Sequence, residues 1–309
     1  MAVWCKTSSP ERERHMMTGQ PEILNKQNGL SRRDLLAWGS ATVAMSAWPA
    51  CADAPRRKIP VGVQLWTMRQ EIAQDLAGTL KQVAQIGYRG VELWFQKWPA
   101  AKNLKQIVSD YGLTITSAHV GLTDLLADFN RVADYHRQIG NPALVVPFIN
   151  NHQKLTEDDW RRRIEEIRQV ARLGTEAGFR MLYHNHAFEF QVKVGGVEFH
   201  KLLFDSIEPE LLQAQIDVFF VADVGRDPAA LIREFTGRVK LLHLKEKSKP
   251  GEKAANTELG RGVIDWPAVF AAAEEAGVEW YLVEQNCEDR SAIESIRISY
   301  EYLRSQGVV

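Results

Sequence analysis

The stretch AQIGYRGVELW, residues 84–94, contains the end of one element and the whole of the next. Its first half closes the pattern DLAGTLKQVAQIG (75–87), in which apolar residues return every three or four positions, as on one face of a helix. Gly87 stops that helix where the chain must turn sharply. Residues 89–94 then form a short apolar run of strand length. The same helix-to-strand turn returns in EAGFRM (176–181) and EAGVEW (275–280).

Working outward from these three turns, short apolar runs alternate with longer amphipathic ones from residue 59 to the C-terminus. The predicted strands are IPVGVQLW (59–66), RGVELW (89–94), LTITSAH (113–119), ALVVPFI (143–149), FRMLYHNH (179–186), LLQAQID (211–217), RVKLLHLK (238–245) and EWYLVEQ (279–285). Helical patterns such as WRRRIEEIRQVARLGTEAG (160–178) and WPAVFAAAEEAG (266–277) lie between them. Eight successive βα units predict an α/β fold closed into a (β/α)8 TIM barrel, one domain over residues 55–309. An open dinucleotide-binding sheet has no anchor, because VGVQLWTMRQ (61–70) lacks the G-x-G-x-x-G that should follow its first strand.

The chain has 309 residues, 45% of them hydrophobic, and a net charge of −1 from 38 basic and 39 acidic residues. Such a balance offers no basic field for nucleic acid and no polybasic surface for a membrane, so a small molecule is the expected partner. A homo-oligomer is compatible with the same composition. Residues 1–54 read differently, as a disordered extension and an export signal. In SRRDLLAWGSATVAMSAWPACADA (31–54), two arginines precede an apolar run from Leu35 to Trp48 and then small residues. That run is shorter than the roughly 20 residues a bilayer needs, so stable membrane insertion is not expected. Arg32 and Arg33 resemble a twin-arginine signal, which implies a periplasmic protein cleaved after Ala52 or Ala54. A lipid anchor at Cys51 is the weaker alternative, since Trp48 and Pro49 fit such a site poorly. Removing Cys5 and Cys51 leaves Cys287 alone, read as a packed thiol with no disulfide partner.

Barrels of this kind carry their chemistry at the C-terminal ends of the strands. Strand 5 ends in His184 and His186, strand 6 in Asp217, strand 7 in His243 and Lys245, and strand 8 in Glu284. Each has a bland alternative: Asp217 could cap a turn, Glu284 could bind backbone amides, His243 could be a core histidine, and Lys245 could be a surface lysine. Together, His184, Asp217, His243 and Glu284 form a ligand set for a divalent cation, which would remove the cost of burying two carboxylates side by side. Trp66, Trp94 and Phe220 are expected to offer aromatic faces to a bound small molecule, and Gln64, Glu92 and His119 hydrogen bonds to it. The polar stretch EKSKPGEKAANTELGRG (246–262) suits a lid over the same rim.

The segments VGVQLWTMR, IGYRGVELW, YHNHAFEF, GRVKLLHLK, LGRGVIDWPAVF and YLVEQ together resemble the sugar phosphate isomerase/epimerase family of the xylose isomerase-like barrels, over essentially all of residues 59–309. The resemblance implies a divalent metal held by Glu, Asp, His and Glu at the ends of strands 5 to 8, the last three falling on Asp217, His243 and Glu284. Manganese is the expected ion, with cobalt, zinc or magnesium as alternatives. At the first position this chain departs from the pattern: His184-Asn185-His186 stands where many relatives carry Glu followed by Asn-His, and His186 is the alternative ligand to His184. Family epimerases place a metal-bound glutamate on each side of the substrate, so a symmetric exchange is in question here. The expected reaction is isomerisation or epimerisation of a sugar through an enediolate, with Glu284 as base and His186 and Lys245 returning the proton or holding the oxyanion. The runner-up is a lyase or hydratase acting on a 3-keto glycoside, which needs only one proton-transfer face. A non-catalytic sugar-binding barrel and a multi-metal apurinic endonuclease are the remaining alternatives.

Overall fold

In a computed structural model of the chain, residues 58–94, 98–252, 255–286 and 290–309 are described. The expected export segment, with Cys5 and Cys51, and the lone thiol Cys287 lie outside them. Eight parallel strands close into a barrel in sequence order: β1 (Val61–Gln64), β2 (Gly90–Leu93), β3 (Thr114–His119), β4 (Ala143–Val146), β5 (Arg180–His184), β6 (Gln213–Asp217), β7 (Val239–Leu244) and β8 (Trp280–Val283). β1 pairs with both β2 and β8, so no edge is left unpaired. All eight predicted strands are present, several trimmed at their C-terminal ends. Gln64 accepts from Trp66 N–H and starts a 3-10 turn at Leu65, Pro147 follows directly on β4, and His186 lies beyond the end of β5.

Principal helices follow the strands: α1 (Leu76–Ile86), α2 (Ala101–Asp110), α3 (Phe129–Ile139), α4 (Glu157–Glu176), α5 (Phe199–Ser206), α6 (Pro228–Glu234), α7 (Trp266–Ala276) and α8 (Ala292–Ser305). Local chemistry sets their ends. Asp75 caps α1 by accepting from Gly78 N–H, and Thr156 and Asp159 form a reciprocal capping box on α4. The glycines that follow α1, α4 and α7 have φ of 126°, 84° and 80°, the left-handed exit that the repeated sequence turn anticipated. Along α4, Trp160, Ile164, Ile167, Val170 and Ala171 are buried at helical spacing, and they belong to the core between barrel and helices. Among the described residues no helix is long and apolar enough to cross a membrane.

Inside the barrel, alternation sorts the strands into two layers. Ala143, Val145, Leu182, Leu241 and Leu282 pack together with Trp280 as an apolar plug. The residues two places further along β5, β7 and β8 are His184, His243 and Glu284, so the plug is the floor beneath the polar groups. Gly90 leaves room for it: a Cβ there would lie 2.7 Å from the Trp280 ring and 2.5 Å from Thr116 Cγ2. The plug predicts that Leu182→Ala costs about 2–5 kcal/mol in urea denaturation, whereas Leu173→Ala, 36% exposed on α4, changes stability by about 0.5 kcal/mol or less. Equal costs at the two positions would contradict the layering.

Candidate metal centre

β6 delivers Asp217 as its last residue, where the carboxylate begins the next helical turn: Oδ1 accepts from Phe219 N–H at 2.8 Å. Asn185, just after β5, clamps the same residue, accepting from Asp217 N–H at 3.0 Å and donating to Asp217 O at 3.4 Å. β7 brings His243 opposite Asp217 in register. Glu284 leaves β8 with its N–H on Leu244 O at 3.2 Å. Its Oε1 accepts from Lys245 Nζ at 2.9 Å, and Oε2 lies 3.0 Å from His243 Nδ1, an ion-pair approach without hydrogen-bond alignment. The ammonium of Lys245 also sits 5.4 and 5.2 Å from the ring centres of Phe219 and Phe220.

Asp217, His243 and Glu284 thus offer one donor atom each, all within 4.8 Å of one another. His184 stands beside this set rather than inside it, with Nε2 4.0 Å from Asp217 Oδ2, and it belongs to a second group with His119 and His243. The His186 ring centre is 5.0 Å from that of His184 and 4.5 Å from that of Phe220, which places Phe220 on the β5–β7 flank. Asp217 Oδ2 and the Nδ1 atoms of His184, His186 and His243 are buried without hydrogen-bond partners. Buried polar atoms are normally satisfied, and the convergence of Asp217, His243 and Glu284 donors within 4.8 Å, with Asp217 Oδ2 and His243 Nδ1 unpartnered, fits a first-row divalent ion.

Burial dominates the electrostatics, and the charges around each group decide the outcome. For Glu284, burial favours the acid, but Lys245 and His243 outweigh it and hold the carboxyl well below its usual range. His243 is pushed by burial toward neutrality, yet Glu92 and Glu284 raise it to about 10. Burial raises Asp217, against the pull of Lys245. His184 falls well below its ordinary value through burial and neighbouring histidines, and His186 is lowered to about 3, chiefly by burial.

Beneath these groups lies a closed polar layer. Glu92 is fully buried and accepts from Gln64 Nε2 at 2.7 Å, Ser117 Oγ at 2.5 Å and Gln215 Nε2 at 2.6 Å, with His243 Nε2 at 2.5 Å. His119 Nε2 lies 2.7 Å from Gln215 Oε1 and 3.2 Å from Glu92 Oε1. Gln64, Glu92 and His119 thus bond within the lumen, where a buried carboxylate draws donors to itself. Trp66 and Trp94 do reach the rim, edge to face at 6.2 Å, with Trp66 37% exposed and Trp94 only 6%.

A family model for the xylose isomerase-like TIM barrel matches residues 80–306. This chain belongs to that family. Among relatives of the barrel, inosose dehydratase of Geobacillus thermodenitrificans is 24% identical over 242 residues, covering 66% of this chain and 80% of that protein. A sugar phosphate isomerase/epimerase of Parabacteroides distasonis superposes with a TM-score of 0.70 at 24% identity, over 85% of this chain and 99% of the other. The zinc-bound IOLI protein superposes with a TM-score of 0.66 at 13% identity, over 81% and 98%. At these identities the solved structures support the fold alone.

Sequence reasoning missed Ser117, Asn185, Gln215 and Glu189 in this xylose isomerase-like barrel. Parity would have found two of them, since Gln215 lies two places before Asp217 and Ser117 two before His119. Described residues of the 246–262 stretch are tied to the barrel by a short ribbon and by Glu246. Glu246–Lys247 pair with Asn256–Thr257, and Glu246 accepts from Gly260 N–H, Ile264 N–H and Trp266 Nε1 at 3.0, 3.0 and 2.5 Å. Glu189 organises the turn after β5, accepting from Tyr183 OH at 2.9 Å and from His186 N–H at 2.8 Å. Burial nevertheless raises it from 4.5 to about 8. The folded form therefore keeps a proton that the unfolded chain loses, so this group's contribution to stability falls as pH rises from about 4.5 to about 8 and is level above. Glu189→Gln mimics the protonated state and should flatten that part of the profile in urea denaturation at stepped pH; an unchanged slope would show that Glu189 is ionised in the fold.

Proposed function

We propose that the barrel is a divalent-metal-dependent carbohydrate isomerase that removes a proton beside a carbonyl and works from one face of its substrate. The convergence of donor atoms from Asp217, His243 and Glu284 within 4.8 Å, with Lys245 bonded to Glu284, carries this reading. Asp217, His243 and Glu284 would hold the ion, with His184, whose Nε2 lies 4.0 Å from Asp217 Oδ2, as the further ligand from beside that set, and mixed nitrogen and oxygen donors suit manganese, cobalt or zinc better than magnesium. When bound, the ion supplies Lewis-acid polarisation of a substrate carbonyl.

Glu284 is the base, kept ionised by Lys245 and His243. Lys245, fixed by Glu284 and the faces of Phe219 and Phe220, stands ready to hold negative charge on a substrate oxygen or to give it a proton. The opposite flank carries His184 and His186, both driven toward the neutral form. Two-base epimerisation wants an acid–base group on each face. A single carboxylate suits transfer between neighbouring carbons on one face, as in aldose–ketose exchange.

Elimination from a 3-keto glycoside is the second reading, and Lys245 favours it, because a buried ammonium beside the base can protonate a departing oxygen. The similarity to inosose dehydratase points the same way. Incubating metal-loaded protein in heavy water with aldoses, ketoses and a 3-keto glycoside separates the outcomes. Isomerisation returns deuterium to a carbon beside the product carbonyl, whereas elimination loses that proton together with the aglycone and leaves a conjugated enone. Glu284→Gln should lower turnover by about 10²–10⁴-fold, and elemental analysis should find the metal of the wild type absent from Asp217→Ala. Equally little metal in both proteins would end the proposal.

The same reading keeps the protein exported, with Arg32 and Arg33 as the signal and an unphosphorylated carbohydrate as its substrate. N-terminal sequencing of the periplasmic protein should begin at Asp53 or Pro55. An intact chain confined to the cytoplasm would overturn the assignment.

A further inference from the structure

Proton positions in the polar layer can be followed from one backbone group. Trp66 N–H donates to Gln64 Oε1 at 3.1 Å, which leaves Gln64 Nε2 to donate to Glu92 Oε1 at 2.7 Å. Ser117 Oγ and Gln215 Nε2 both donate to Glu92 Oε2. Gln215 thereby keeps its Oε1 for His119 Nε2–H. Glu92 is an acceptor on every side, so the ring atom facing it at 2.5 Å, His243 Nε2, must carry a hydrogen. With Nε2 keeping its hydrogen against Glu92, the nitrogen that can give up its proton to an incoming ion is Nδ1. That is the atom without a hydrogen-bond partner, 3.0 Å from Glu284 Oε2. His119 stacks on the same ring at 5.3 Å with an interplanar angle of 10°, which limits its rotation.

We propose that Glu92 is a positioning residue that selects the His243 tautomer and ring orientation able to present Nδ1 to a divalent ion. The inference rests on the metal-binding reading above and goes beyond it by assigning a role to a residue that touches neither ion nor substrate. Glu92 has no exposure to solvent, and Gln64, Ser117, Gln215 and His243 occupy its oxygens. A carboxylate behind a ligating histidine fixes the tautomer and strengthens the ligand. Gln64, Ser117 and Gln215 come from β1, β3 and β6, so the orientation of His243 on β7 is imposed from across the lumen rather than by its own strand.

The test uses the full chain with zinc and manganese, titrated against a chromophoric chelator, for wild type, Glu92→Gln and Ser117→Ala. Urea midpoints of the metal-free proteins report the fold, and nitrogen-15 spectra of histidine-labelled, zinc-loaded wild type report the tautomer. His243→Gln identifies its resonance among the 8 histidines. Glu92→Gln should weaken zinc binding by about 10–100-fold, and Ser117→Ala by less than about tenfold. In the wild type Nε2 of His243 should bear the hydrogen and Nδ1 the zinc. Zinc affinity of Glu92→Gln within about threefold of wild type, or a hydrogen on Nδ1 in the loaded wild type, would overturn the inference. If Glu92→Gln does not fold, the wild-type spectrum still decides. A wild type with no affinity for either metal overturns the metal reading itself, whereas a metal-binding wild type with an indifferent Glu92→Gln overturns only the role of Glu92.

Discussion

The structure is organised around one buried negative charge. Glu92 lies in the barrel lumen with no exposure to water, where an unpaired carboxylate would cost several kcal/mol. It is tolerated because Gln64, Ser117, Gln215 and His243 reach it from β1, β3, β6 and β7. Closure of the barrel is what brings those strands within reach of one another, and in turn the carboxylate fixes how their side chains turn. The upper half of the interior is therefore a bonded polar layer resting on an apolar plug, unlike an aliphatic core throughout.

The candidate site inherits its order from that layer. His243 has one ring nitrogen committed to Glu92 and the other turned toward Asp217 and Glu284. Asn185 ties Asp217 to the end of β5, and Lys245 ties Glu284 to the end of β7. No member of the set relies on a long loop for its position. Even the extended segment after β7 is pinned by Glu246 against α7, through Trp266. Rigid strand ends of this kind favour a fixed ion and a fixed base over a site assembled by closure.

Much of this was legible in the sequence. Glycine turns and alternating elements identified eight units, because backbone conformation and amphipathic period are local properties. Strand ends named Asp217, His243, Glu284 and Lys245 for the same reason. The direction in which Gln64, Glu92 and His119 would spend their hydrogen bonds was not legible. That depends on which residues of distant strands share a height inside the barrel, and the register shifts between Val91 and Glu92 and between Ala214 and Gln215 alter those heights. Glu189 was hidden differently: its partners are a backbone N–H and a buried tyrosine, and neither has a sequence signature.

A histidine rather than a carboxylate at position 184 has a consequence for electroneutrality. Glu92, Asp217 and Glu284 bring three negative charges into a space shielded from counterions, and Lys245 brings one positive charge. A divalent ion with neutral His184 and His243 would balance that account, whereas a glutamate at position 184 would leave it one charge short. A histidine at position 184 and a buried lysine at position 245 are then two halves of one compensation, and replacing either alone with a group of another charge would unbalance the interior.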